Sequence, residues 1–342
     1  PATQEGAGPV NPLLQVDNLH VYFDTPAGVV RANNGVNIAV MRGQSLGIMG
    51  ESGCGKTVMF LSLLHLQQPG RIVSGRVLFD GRDITALTQH QMQSLRGRAI
   101  ALVPQNQATA LNPSYTVRQQ LIEAISVRRS RQRSLLMQKH RKDRCGSDKR
   151  ELEQAFRDLG FEPGPTLDRV LQSYPHQLSG GMRQRVLIAM AVIMCLRLLI
   201  ADEPTTALDR AIKSQALDTL QRLRAVTTLM VISHDVETIS ATCDRVAIMY
   251  AGRVIEEGTC PDVLLKPHHP YSRLLLASQA RVRGLRLPVA GVETLDMVNF
   301  PPGCPFHPAC PQALPDCRTT LPQMYSVAGA TVACHLYRQE SA

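Results

Sequence analysis

The stretch GESGCGKT, residues 50–57, decides the fold. Before it the apolar run SLGIM, 45–49, reads as a short buried strand, and from Val58 onward a helical pattern begins, so the glycines fall at a strand-to-helix turn. Gly50, Gly53 and Gly55 let the backbone form a concave nest whose N–H groups point at phosphate oxygens, and the following helix adds its positive N-terminal end. In such a loop Lys56 reaches the β- and γ-phosphates of ATP and Thr57 ligates Mg²⁺, with Ser52 and Cys54 completing the nucleotide-binding set. A glycine turn followed by a chance Lys-Thr is the plainer alternative. At Cys54 a small residue suffices, and a thiol at a helix N-terminus is expected to have a lowered pKa and to react with alkylating agents.

Further along, the apolar run ending LLIADE, 198–203, reads as a second buried strand that ends in two carboxylates. Asp202 can hold Mg²⁺ through water, and Glu203 can orient or deprotonate a water attacking the γ-phosphate. VISHD, 231–235, ends a third strand at His234, and Gln105 follows the run IALV, 100–103. Each of these two alone would pass for an ordinary polar residue at a strand end. In YPHQLSGGMRQRVLIAMAV, 174–192, the turn Ser179-Gly180-Gly181 opens a helix with apolar residues at 182, 186, 187, 190 and 193. It is a second helix start suited to an anion.

The surrounding composition fits an α/β protein. Of 342 residues 44% are hydrophobic but only 4% aromatic, with no Trp, so aliphatic side chains must fill the core, as suits a buried parallel sheet. Thirty-seven Lys and Arg against 28 Asp and Glu leave +9. Residues 127–150 hold ten of the basic residues against Asp143 and Asp148, +8 in one segment, which reads as a solvated, partly helical face or as a contact for anionic lipid head groups. No apolar run approaches the about 20 residues of a spanning helix, and the N-terminus lacks a signal-peptide plan, which points to a cytosolic chain. The nine cysteines are then expected to be free or metal-bound.

The order of these motifs resembles that of the ATP-binding subunits of ABC transporters, from about Leu13 to the C-terminus. GESGCGKT is similar to the family's Walker A, Gln105 to its Q-loop glutamine, LSGGMRQR to its signature, LLIADE to its Walker B, Ala207–Asp209 to its D-loop and His234 to its switch histidine. The resemblance implies a P-loop NTPase core of ABC type: a mixed sheet with helices, an antiparallel β subdomain and an inserted helical subdomain at about 106–190. It further implies a disordered tail over 1–12, a nucleotide-binding domain over 13–260 and a C-terminal extension over 261–342. Two such domains sandwich two ATP molecules head to tail, each between one subunit's Walker A and the other's Ser179-Gly180-Gly181. Phe23 stands where the family stacks an aromatic on adenine, with Tyr22 the alternative. The resemblance gives Glu203, His234 and Gln105 the catalytic roles, and Thr57, Gln105 and Asp202 the Mg²⁺. The chain departs from the family at VPQNQATALNP, where Phe commonly precedes the glutamine and Asp-Pro follows it, on a surface that in the family meets the membrane subunit.

ATALNPSYTV, LIADEPTTALD, MYAGRVIEEG and PHHPYSRLLLAS resemble the dipeptide and oligopeptide permease branch. That resemblance implies an ATP-hydrolysing subunit powering peptide import at the cytoplasmic face of the membrane. Its partners are a second, different ATPase subunit, two transmembrane permease subunits and an extracytoplasmic binding protein. Importers of glutathione, nickel or antimicrobial peptides share the wording. Soluble ABC ATPases of DNA repair or translation are a second reading, weakened by the absence of sustained heptads and of a second cassette. A nucleic-acid module is a third, and the basic segment lacks aromatics for stacking bases; no nucleic-acid partner is expected.

The extension holds Cys304, Cys310, Cys317 and Cys334, preceded by a helix start at HHPYSRLLLAS and a linker at 288–302. Their spacing is not the Cys-x2-Cys knuckle that zinc favours, yet four thiolates can enclose zinc or an iron–sulfur cubane, and chemistry alone leaves Zn²⁺ and iron–sulfur open. The peptide-transporter branch has a C-terminal motif like this one, and the resemblance implies a [4Fe-4S] cluster.

Overall fold

The computed structural model describes residues 11–105, 110–133, 150, 152–157, 164–194, 196–206, 210–282 and 296–338. The N-terminal ten residues, Ala207–Asp209, Cys145, Cys195, residues 134–149 of the basic segment and residues 288–295 of the expected linker lie outside them. The chain divides into two compact units, one formed by residues 1–92 with 234–342 and the other by 93–233.

In the first unit β1 (Leu14–Thr25) pairs antiparallel with β2 (Gly28–Val40) and with β4 (Arg71–Phe79), and β4 pairs with the two-residue β5 (Arg82–Asp83). Leu14 and Val16 and, past a register shift, Leu19 and Val21 of β1 are buried, the pattern of a sheet with one covered face. A second group of strands is built around β3 (Ser45–Met49), buried at every position. β3 runs parallel to β9 (Arg245–Tyr250), and β10 (Arg253–Thr259) returns antiparallel to β9.

The Cys-rich extension belongs to this unit. The hairpin β11 (Tyr325–Val327) and β12 (Ala330–Val332) adds to β10, with Glu256 opposite Val332 and Gly258 opposite Ala330. The helix start read at HHPYSRLLLAS is observed: the helix Pro270–Val282 begins at its third residue. Glu256, fully buried, seats the chain ahead of that helix: its carboxylate accepts the N–H of His268 at 2.7 Å and of His269 at 3.0 Å. Burial raises the Glu256 pKa, against the lowering pull of those donors.

The second unit holds three parallel strands, β6 (Ile100–Val103), β7 (Leu198–Asp202) and β8 (Thr228–Ile232), with β7 in the middle. β7 and β8 are buried at every position, so their continuous apolar runs reflect cover on both faces. Val103 lies opposite Ala201, and Asp202 opposite Ile232. Gln105, Asp202-Glu203 and Ser233 therefore share the carboxyl edge of these strands, where open α/β sheets carry their ligand sites.

Candidate nucleotide site

The phosphate loop is pinned from several sides within the first unit. A Cβ on Gly55 would sit 2.1 Å from the carbonyl oxygen of Ala32, and one on Gly50 would sit 2.4 Å from that of Met249. Gly55 also has φ +99°, the left-handed conformation that glycine adopts without strain. Asn33, buried in β2, donates from Nδ2 to the Gly55 carbonyl at 3.0 Å, and Gly252 N–H donates to the Cys54 carbonyl at 3.0 Å. The Glu51 N–H donates to the hydroxyl of Tyr271 at 3.2 Å. Neither Asn33 nor Tyr271 is legible as a site residue in the sequence.

Lys56 and Thr57 open the helix Lys56–Leu63. Lys56 is 8% exposed, and its ammonium donates to the carbonyls of Gly50 at 2.8 Å and Glu51 at 2.7 Å. Thr57, Ser52 and Gly53 are exposed. A cradle closed to a Cβ at Gly50 and Gly55, with a buried cation beside it, fits a bound phosphate chain.

Cys54 corrects the sequence reading. It is 6% exposed, and burial raises its thiol pKa although Lys56 pulls the other way. Withdrawal from water penalises the thiolate more than the nearby cation and helix end favour it.

Phe23 is half-buried in β1, and a Cβ on Gly70 would sit 2.5 Å from its Cζ, so the ring lies flush on that glycine. Tyr22 is engaged elsewhere, with its hydroxyl 3.2 Å from Nδ1 of His20 and 3.5 Å from Oδ1 of Asn34. His234 is exposed just past β8, ahead of Asp235, which caps the helix Val236–Thr242 by accepting the N–H of Glu237 and Thr238.

In the second unit Asp202 is 6% exposed and Glu203 half-buried. Glu203 holds φ +47°, strained for a residue with a Cβ. Its N–H donates to the Ile232 carbonyl at 2.9 Å, and Oε2 accepts from Thr206 Oγ1 at 2.8 Å and from Ser233 Oγ at 3.5 Å. The fixed backbone aims the carboxylate, and two hydroxyls orient it. Gln105 is exposed.

Ser179 caps the helix Gly180–Ile193, accepting the Met182 N–H at 3.3 Å. A Cβ on Gly181 would sit 2.3 Å from Cγ2 of Ile212, so this glycine permits the close approach of the helix Arg210–Arg224. Ser179 and Gly180 remain exposed, as a helix start that meets an anion requires. Gln184, 1% exposed, donates from Nε2 to the Pro204 carbonyl and ties this helix to the turn after Glu203.

The profile of the ABC transporter family matches residues 33–206, and that of the oligopeptide/dipeptide transporter C-terminal region matches residues 255–317. The chain is 38% identical over 338 residues to the dipeptide transport ATP-binding protein DppD of Bacillus subtilis, covering 96% of each chain. The chain belongs to the ATP-binding subunits of the ABC transporter family, in their dipeptide and oligopeptide branch. It is also 37% identical over 331 residues to the oligopeptide transport ATP-binding protein OppD of Salmonella typhimurium, covering 95% of this chain and 94% of that one. Among solved structures, a dimeric ATP-binding cassette in a post-hydrolysis state bound to ADP and Pi superposes with TM-score 0.59 at 23% identity, over 72% of this chain and 98% of that one. The expected fold, an ABC-type P-loop NTPase, is thus the observed one, and as an ABC ATPase the chain binds and hydrolyses ATP.

The four cysteines of the extension are drawn into one neighbourhood. Cys304, Cys317 and Cys334 are buried, and Cys304 N–H donates to the Cys317 carbonyl at 2.8 Å. Burial, joined by charge at Cys317, Cys334 and Cys310, pushes the Cys304 thiol up to about 11. Among the described residues no group of three or more His, Cys, Asp or Glu side chains is arranged to hold a metal ion.

Proposed function

We propose that this chain is the ATP-hydrolysing subunit of an importer for dipeptides or oligopeptides. The observation that carries the cargo class is its 38% identity, over 96% of both chains, to a dipeptide transport ATP-binding protein, C-terminal region included. In this reading Lys56 and the loop of Gly50, Ser52, Gly53, Cys54 and Gly55 take the phosphates, while Thr57, Gln105 and Asp202 take Mg²⁺. Glu203 directs the attacking water, His234 meets the γ-phosphate, and Phe23 stacks on adenine. Ser179, Gly180 and Gly181 face the nucleotide of a second, different ATPase subunit, which agrees with the exposure of Ser179 and Gly180. Residues 13–260 form the nucleotide-binding domain, with 106–190 its helical subdomain and 261–342 its extension.

The remaining partners are two transmembrane permease subunits and an extracytoplasmic binding protein, with this chain peripheral on the cytoplasmic face. No described helix is long and apolar enough to cross a membrane. The test is uptake by proteoliposomes holding the assembled importer, supplied with labelled dipeptides, oligopeptides, glutathione and nickel. Peptide uptake that requires ATP supports the reading; uptake of nickel or glutathione alone overturns the cargo class.

Cys304, Cys310, Cys317 and Cys334 are the proposed ligands of a [4Fe-4S] cluster. What supports them is the electrostatic influence of the other three on Cys304, the burial of Cys304, Cys317 and Cys334, and the proline-stiffened loop around the first three. Four sulfurs on one zinc ion must close to within about 3.8 Å of each other, given bonds of about 2.3 Å. A cubane is larger than one ion and holds its ligands further apart, so sulfur separations in the metal-loaded protein distinguish the two. Iron and sulfide in anaerobically purified protein, with absorption near about 400 nm, support the cluster; stoichiometric zinc without iron overturns it.

A further inference from the structure

Glu51 and Tyr271 lie 220 residues apart, yet the N–H of the first donates to the hydroxyl of the second at 3.2 Å. Tyr271 is fully buried, its ring centroid 4.5 Å from that of Tyr250 and 5.5 Å from that of Phe306. Phe306 meets Tyr250 edge-on at 5.4 Å and is itself 1% exposed. The Tyr271 N–H donates to Nδ1 of His269 at 3.0 Å, which fixes the backbone beneath the ring. Three packed aromatic rings make a stiff block. One end of that block holds the phosphate loop, and the other is Phe306, between Cys304 and Cys310 in the sequence.

The bond lands on a sensitive peptide. The Gly50 carbonyl of that same peptide accepts from Lys56 Nζ at 2.8 Å, and the next carbonyl, of Glu51, accepts from Lys56 Nζ at 2.7 Å and from the Cys54 N–H at 3.4 Å, so a shift there moves the two groups that shape the cradle. Burial raises the Tyr271 pKa well above its usual value, so the hydroxyl stays neutral at any physiological pH.

We propose that Tyr271 is a positioning residue for the phosphate loop, and that through Phe306 the order of the Cys-rich loop is felt at the nucleotide. The proposal rests on ATP binding at this loop and is independent of what the cysteines hold. Phe at 271 keeps the ring and leaves the Glu51 N–H without its acceptor, a loss worth about fivefold in a binding constant.

The experiment measures binding of a fluorescent ATP analogue to the full chain, and ATP turnover by the assembled importer. Y271F is expected to raise the dissociation constant and KM about fivefold with kcat unchanged, and F306L to shift both the same way. The double variant should fall short of the product of the single effects, because both act through one block. Y115F, at a 49% exposed tyrosine of the other unit, should change neither constant. Unchanged affinity in folded Y271F, or a lower kcat at unchanged KM, overturns the positioning role, and a fully multiplicative double variant overturns the link to Phe306. If Y271F is not recovered folded, F306L decides: raised KM supports the proposal and unchanged KM overturns it. Binding by the wild type and its loss in K56A test the nucleotide reading separately.

Discussion

The ammonium of Lys56 donates to the carbonyl oxygen of Gly50 at 2.8 Å, across the turn that the two residues bracket. The cation is thus preset over the mouth of the loop by groups of the loop itself. A charge-assisted bond to phosphate is worth about 1.5–3 kcal/mol, so K56A should weaken ATP binding at least tenfold. Isothermal titration with ATP checks this, with circular dichroism to show that the fold survives.

Cys54 should resist alkylation. Its thiol is buried and its pKa raised, so N-ethylmaleimide at neutral pH should modify exposed thiols of the denatured chain far faster than Cys54 of the folded one. Mass spectrometry of a short labelling pulse reads the site directly. Rapid, stoichiometric labelling at Cys54 would contradict the burial.

His269 makes stability depend on pH. Burial holds its pKa down at about 3, against an unfolded value of about 6.5. The unfolded chain therefore binds a proton that the folded chain refuses, and stability falls as pH drops from about 6.5 toward about 3, by up to about 1.4 kcal/mol per pH unit. H269N can keep an acceptor for the Tyr271 N–H and should show a shallower loss between pH values of about 6.5 and 5. Urea midpoints of the two proteins across that range check it.

Gly181 is required by contact. With Ile212 Cγ2 only 2.3 Å from where a Cβ would stand, Gly181→Ala must push the helix Arg210–Arg224 away, at about 1–3 kcal/mol. Gly180→Ala, with open space around it, should cost about 1 kcal/mol or less. Thermal unfolding of the pair distinguishes steric need from mere glycine content.

Much of the site is legible because its parts are local. The apolar runs at 45–49, 198–202 and 228–232 are strands buried at every position, and each hands its motif to the turn after it. What escapes the sequence is long-range. Tyr271 meets Glu51 across 220 residues, and no spacing announces it. The strands YSV and ATV that join the extension to β10 are three residues long, too short to show a period. The helix Gly180–Ile193 is read only in part from the positions 182, 186, 187, 190 and 193. Val186, Leu187 and Ile193 are buried, but Met182 and Met190 are not among the buried residues of this helix, while Gln184, Ile188 and Ala189 are. A helix covered on nearly every side has no single apolar stripe to find. The Cys54 thiol escapes for a related reason, since its neighbours in space, not in sequence, set its pKa.

The catalytic role of Glu203 is tested most directly by ATP turnover of E203Q beside the wild type, with ATP binding measured on the same preparations. Gln keeps the shape and the strained backbone of Glu203 but cannot act as a base. Unchanged ATP affinity with turnover lowered at least about 100-fold is the predicted result. Turnover near the wild-type rate in E203Q would contradict that role.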